Sequence, residues 1–156
     1  MRITRRMIKD LAREYPNKKI ICQPEKNPQE VICEIFTAPD NSWSMAVALI
    51  IKSVPHFHKT TWETYFVLEG TLRVMGGGTN RGSILLPCKA ANIPRTQVPK
   101  ETTWLSYRPN VFWPEQIHCA WAIGHSPAKV LVIATPAWNA NDHHLRPDII
   151  KPFTLR

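Results

Sequence analysis

The stretch Pro55-His56-Phe57-His58-Lys59-Thr60-Thr61-Trp62-Glu63 holds the residues of this sequence best suited to chemistry. Side chains two apart in a strand share a face, so His56 and His58 point one way and Phe57 the other. A short turn follows, and Glu63 opens the next strand. Pairing of the two strands returns the Glu63 carboxylate to the side of both imidazoles. Two neutral imidazoles and one carboxylate suit one divalent ion, Fe, Mn, Zn or Ni, and match the make-up of an open facial triad. An H-x-H pair alone is often plain polar surface. Glu63 and then Gly70 behind it strengthen the metal reading.

The surrounding sequence must supply strands to hold these groups. Val31–Thr37, 43–53, Trp62–Glu69, 71–75, 83–86, 102–108, 111–113, 118–123 and 129–135 are short segments rich in β-branched and aromatic residues, punctuated by Pro, Gly, Asn and Asp. Residues 76–82, with four glycines, read as a hairpin connection, and Pro87 to Lys100 as a long connection over a barrel mouth or edge. Ahead of these strands, Met7, Ile8, Leu11, Ala12 and Tyr15 recur at helical spacing. Thr4 can cap that helix and Pro16 stops it. Residues 17–30 read as a linker with one short strand near Ile20. The pattern predicts an all-β, antiparallel jelly roll or small barrel with a short N-terminal helix. Residues 1–30 form a basic helix and linker, and 31–156 the barrel domain.

A chain of 156 residues fits one domain with a real core. Its net charge of +8 invites an anionic partner, but seven basic and two acidic residues in the first nineteen carry +5 of it. The charge argument therefore concerns the N-terminus alone. A solvated helix face explains it, and no interleaving of aromatic and basic residues supports nucleic-acid binding. Cys22, Cys33, Cys88 and Cys119 lie far apart with no C-x-x-C, as reduced core cysteines do. No signal-peptide pattern opens the chain, and the apolar run from Met45 to Ile51 is too short to span a bilayer. A cytoplasmic location and no membrane partner are the expectation.

The string His56-x-His58-x4-Glu63-x6-Gly70 is similar to the first motif of the cupin superfamily, whose histidines and glutamate bind metal and whose glycine turns the chain. The chain departs from that motif at Ile50, where the family has a turn glycine. Trp113-Pro114-Glu115-Gln116-Ile117-His118 resembles the second motif, with Glu115 in place of its glycine and Ala122 in place of its frequent asparagine. The resemblance implies His118 as a fourth ligand. His118, Ala120 and Ala122 share one strand face, which leaves room for an ion; His125, His143 and His144 are rivals without a strand context. Thr135 to His143 resembles the closing Pro-aromatic-x-x-x-Asp segment of small cupins.

For function, the resemblance implies a metal-dependent enzyme on a small polar substrate, a sugar or an organic acid, of isomerase, epimerase or dioxygenase type. Glu63 and Tyr65, on one strand face, are the candidates for moving protons. Trp104 and Arg108 share a face of another strand, and the planar Arg108 fork suits an anionic substrate. The alternative is a ligand-binding or sensing module with a structural metal. Homodimerisation across outer sheet faces is the further expectation.

Overall fold

In a computed structural model of the chain, which describes residues 1–77, 85–90 and 110–149, Thr4 caps the N-terminal helix as its sequence predicts. Its hydroxyl accepts from the Met7 N–H at 3.3 Å. The helix α1 (Arg5–Glu14) closes with the Tyr15 N–H on the Leu11 carbonyl, just ahead of Pro16. It is ten residues long, and among the described residues no helix is long and apolar enough to cross a membrane.

Eleven strands follow among the described residues: β1 (Lys19–Gln23), β2 (Glu30–Thr37), β3 (Ser44–Ile50), β4 (His56–Phe57), β5 (Trp62–Glu69), β6 (Thr71–Gly77), β7 (Leu85–Ala90), β8 (Asn110–Phe112), β9 (Ile117–Ile123), β10 (Ala128–Thr135) and β11 (His144–Leu145). All described pairs are antiparallel. They form a six-stranded sheet, β1-β2-β3-β10-β5-β8, and a five-stranded sheet, β11-β4-β9-β6-β7. This is the all-β architecture with one N-terminal helix that the sequence predicts. Pro87 lies within β7, opposite Met75 of β6, and not at the start of a connection. The segment predicted over 102–108 and the rest of the connection to Lys100 lie outside the described residues.

The chain passes between sheets after β3. The Ile51 carbonyl accepts from the Ala122 N–H at 2.8 Å, and the Ser53 N–H donates to the Ala120 carbonyl at 2.8 Å. The Ser53 hydroxyl accepts in turn from the Ala120 N–H. This crossing carries β4 into the second sheet, opposite β9, while β5 returns to the first. Gly70 makes the turn from β5 to β6 at φ +80, where a Cβ would meet the Ala128 Cα at 3.3 Å. Only glycine enters that conformation without strain and fits that approach.

Between the sheets lies a core of Ile50, Tyr65, Leu72, Val74, Phe112 and Val130 with Ala48, Ala120 and Ala128. Ile50, at the position of the missing family glycine, is fully buried there. A second cluster lies on the outer face of the six-stranded sheet. Ile3 and Leu11 pack on Val31, Cys33 and Val47, with Met7, Ile8, Tyr15 and Leu131 around them. Burying a side chain such as Leu11 contributes about 1.5–3 kcal/mol. Lys129 on β10 reaches back to the Glu14 carboxylate at 2.8 and 2.6 Å and pins the end of the helix. The opposite helix face is solvated: Asp10 pairs with Arg6 and Arg13 at 3.8 and 3.3 Å.

Candidate metal centre

His56 lies on β4 directly across from His118 on β9. His58 follows at the end of β4, and Glu63 comes from β5 of the other sheet. One donor atom from each of the four lies within 4.8 Å of the other three. All four residues are buried, His58 and His118 to 1% exposure. The site thus bridges the two sheets, and the crossing after β3 is what makes this possible.

The orientation of two of the three imidazoles is set from behind. His56 Nδ1 lies 2.8 Å from the Val54 carbonyl and His118 Nδ1 lies 2.9 Å from the Gln116 carbonyl. A carbonyl only accepts, so both Nδ1 atoms must donate, and in the neutral ring Nε2 is left as a bare lone pair. Those lone pairs face Glu63: His118 Nε2 is 3.1 Å and His56 Nε2 3.9 Å from Oε2, and His58 Nε2 is 3.4 Å from Oε1. Neither His58 nitrogen makes a hydrogen bond, although Nδ1 approaches Asp142 Oδ2 to 4.0 Å. Acceptors facing acceptors in a buried site call for a cation among them. Three imidazole nitrogens and a carboxylate oxygen, with His56 and His118 each held by a carbonyl behind it, fit a first-row divalent ion.

A positive charge among the imidazoles, an added proton or an ion, is what stabilises the Glu63 carboxylate. Burial works to raise the Glu63 carboxyl, but His118, His56 and His58 outweigh it and hold it well below the usual carboxylate range. Burial, and then His118, lower the His56 pKa. Burial opposes the charged form of His58 too, but Glu63 and Asp142 outweigh it and raise that pKa. The Tyr65 hydroxyl donates to Glu63 Oε2 at 3.1 Å. Burial and the neighbouring Glu63 push Tyr65 well above its usual range, so it stays protonated and steadies the carboxylate.

Asp142 fixes the turn between His58 and Glu63. Its carboxylate accepts from the Lys59, Thr60 and Thr61 N–H groups at 2.8, 3.2 and 3.0 Å, and from the Thr60 and Thr61 hydroxyls at 3.0 and 2.8 Å. These bonds outweigh the effect of burial and bring its pKa to about 2. The closing segment therefore acts as a clamp on the first motif. It also brings His143 against His56, with ring centroids 4.4 Å apart. Burial, then His56 and His58, lower the His143 pKa to about 4, so the ring is neutral at pH 7. His144 instead stacks on Phe57 at 4.9 Å, and His125 is exposed in a turn away from the site. Cys119 is buried on the other face of β9, where burial pushes its thiol up to about 11. Trp104 and Arg108 lie outside the described residues.

The second-motif turn explains why a glycine is usual there. The Gln116 N–H donates to the Trp113 carbonyl at 3.0 Å, with Pro114 and Glu115 between them. Glu115 sits at φ +66, the left-handed region that such a Pro-led turn requires at its third residue. The exposed Glu115 side chain makes no use of that strain. Glu115→Gly should stabilise the protein by about 0.5–1 kcal/mol, less than the full strain because glycine also frees the unfolded chain. Denaturant unfolding of the two proteins checks this; a loss of stability would show that the turn holds Glu115 for another reason.

A pocket opens beside the four-residue cluster, with about 730 Å³ of empty space including its mouth. His56, Glu63, Tyr65 and His143 line one side, and Gln23, Glu30 and Glu34 from β1 and β2 line another. Between them β3 and β10 present Ser44, Met45, Ala46, Ala48, Val132 and Ala134, a floor of mostly small residues.

At the level of sequence, no family model and no curated protein matches this chain. The fold does have solved counterparts. The capsular polysaccharide assembling protein CapF from Staphylococcus aureus superposes with a TM-score of 0.62 at 11% identity, over 82% of this chain and 32% of that one. This chain thus spans about a third of CapF, which has also been solved with the inhibitor 3-isopropenyl-tropolone. Pac13 of Streptomyces, described as a nucleoside dehydratase and seen with uridine, has a TM-score of 0.56 at 12% identity, over 85% of this chain and 87% of that one. Protein SO0799 of Shewanella oneidensis has a TM-score of 0.60 at 12% identity, over 88% and 83% of the two chains. The chain has the cupin fold. Within it, His56, His58, Glu63 and His118 form a buried cluster able to hold a metal ion.

Proposed function

We propose that the protein is a metal-dependent cupin enzyme that moves a proton on a small hydroxyl-bearing substrate, in the manner of an isomerase or epimerase. The observation that carries this reading is the convergence of three imidazole Nε2 atoms and the Glu63 carboxylate at the wall of an open pocket. A divalent ion held by His56, His58, Glu63 and His118 supplies Lewis-acid polarisation of a substrate oxygen. Tyr65 keeps Glu63 oriented through its hydroxyl. His143 offers a neutral imidazole on the pocket side of His56, able to accept a proton from a bound substrate and return it. That Pac13 is a nucleoside dehydratase, and that CapF assembles a polysaccharide, adds to the case for a sugar-like substrate.

Two measurements on protein purified without added metal test the reading. Elemental analysis should find close to one divalent ion per chain. Incubation with aldoses and ketoses in deuterated water should wash deuterium into the carbon beside the carbonyl, and His143→Ala should slow that exchange about 100-fold or more, the usual contribution of a general acid or base. Metal without exchange for any substrate would favour the non-catalytic binding module. Absence of metal, with no gain on reconstitution, would remove the reading altogether.

A further inference from the structure

Glu30 opens β2, pairs with Gln23 of β1, and is only 9% exposed. Among the described residues its carboxyl makes no hydrogen bond and no ion pair, and it faces the pocket that also holds Glu63 and Tyr65. Burial, and then Glu63, push its pKa up to about 8. A carboxyl this enclosed, with no protein partner and opening only to a pocket, is placed to hydrogen-bond what the pocket holds. On the same wall Gln23 stands beside Glu30, and Glu34, paired with Lys19 at 3.3 Å, lies four residues further along the strand, with Ile21 and Ile32 among them. Trp138 and Phe36 line the same pocket and offer apolar surface for the C–H face of a ring.

We propose that Glu30, with Gln23, is the hydroxyl-binding end of the pocket, and that it selects a neutral sugar or similar polyol lying over the pocket floor. The proposal deepens the function proposed above and depends on it only for what lies at the opposite wall. A carboxyl and an amide exchange hydrogen bonds readily with hydroxyls, which donate and accept. A substrate carboxylate or phosphate placed beside Glu30 would oppose ionisation of that carboxyl and would meet no Lys or Arg among the described lining residues. The organic acid of the sequence reading is therefore the poorer occupant of this wall.

Matched pairs of sugars test the selection: D-glucose against D-glucuronate and D-galactose against D-galacturonate, titrated into the metal-loaded protein by calorimetry. The expected result is that a neutral sugar binds about tenfold or more tightly than its uronate. Glu30→Leu should weaken that sugar by about tenfold or more, and Glu30→Gln should recover part of the loss. Metal content should be unchanged in both variants, and the thermal midpoint unchanged or raised by a few degrees, since each removes a buried acid with no protein partner. Equal affinity of Glu30→Leu and the wild type would overturn the proposal. So would a uronate that binds as well as its neutral partner, or no neutral sugar binding at about 10 mM, which fills a millimolar site. A fall in thermal midpoint for both variants would assign Glu30 to structure. Metal content read on the same preparations separates the two readings. A sugar-selective protein without metal sinks the function proposed above and leaves Glu30 its role; a metal-loaded protein that ignores Glu30→Leu does the reverse.

Discussion

His56→Ala combined with His58→Ala should abolish tight divalent binding and leave a folded barrel. Each imidazole brings one Nε2 to the cluster, so half of the four donors go at once. Losing even a supporting partner of a ligand costs about 10–100-fold in affinity, and two ligands together should cost at least about 1,000-fold. The fold should survive because the hydrophobic core between the sheets draws on neither residue. The variant also relieves part of the confrontation of Nε2 lone pairs with Glu63, so the metal-free form should lose little stability. Elemental analysis and competition with a chelator measure the first effect, and circular dichroism the second. Single His118→Ala should lie between, with a loss of about tenfold or more. A double variant that keeps one ion per chain would show that the metal sits elsewhere.

Asp142→Ala carries the second large effect, although Asp142 is no ligand in the cluster. Its carboxylate accepts three backbone N–H groups and two hydroxyls from Lys59 to Thr61. Hydrogen bonds to a charged group contribute about 1.5–3 kcal/mol each when made alone. The five share one carboxylate and partly face water, so the expected loss is about 2–4 kcal/mol in all. The freed turn should let His58 and Glu63 drift apart and weaken metal binding by about 10–100-fold. Acid unfolding supplies an independent reading. The Asp142 pKa falls from 3.8 to about 2 on folding. A carboxyl depressed by folding adds stability that is whole above its unfolded value and is lost as pH falls through the folded one. Wild-type protein should therefore lose stability between about pH 4 and pH 2, and Asp142→Asn should lose less over that window. Equal acid profiles would show that the clamp contributes little.

Among the candidate residues, those on paired strands were the legible ones. The two-residue period put His56 and His58 on one face, and the return of β5 brought Glu63 to them. His118 followed from a strand whose inward face carries only small neighbours, and it lies opposite His56. Tyr65 is on the Glu63 face, but its bond to Glu63 was not legible, because a shared face does not say which atoms touch. Asp142 stood in the closing segment without a role, and His143 only as a rival fourth ligand. They reach the site from about eighty residues away, and no local spacing encodes that contact.

Glu30 shows the limit most clearly. In β2 the residues Val31, Cys33 and Ile35 alternate with Glu30, Ile32 and Glu34. Alternation alone places the wholly apolar set inward and the glutamates toward water. The protein does the opposite, because α1 covers the outer face with Ile3 and Leu11, so Val31 and Cys33 are buried beneath a helix. The mixed face is left to line the pocket.

What the sequence determined by itself was the set of elements and the chemistry they carry: a capped basic helix, short alternating strands, a glycine turn at Gly70 and a His/Glu donor set. Each of these is written in spacings of a few residues, where backbone period and turn geometry act directly. Only the tertiary structure decided which side of β2 is inside, which distant carboxylate clamps the metal loop, and that a second buried carboxyl faces the pocket. Those outcomes depend on which layers pack on which, and packing energy is summed over contacts between residues far apart in the chain.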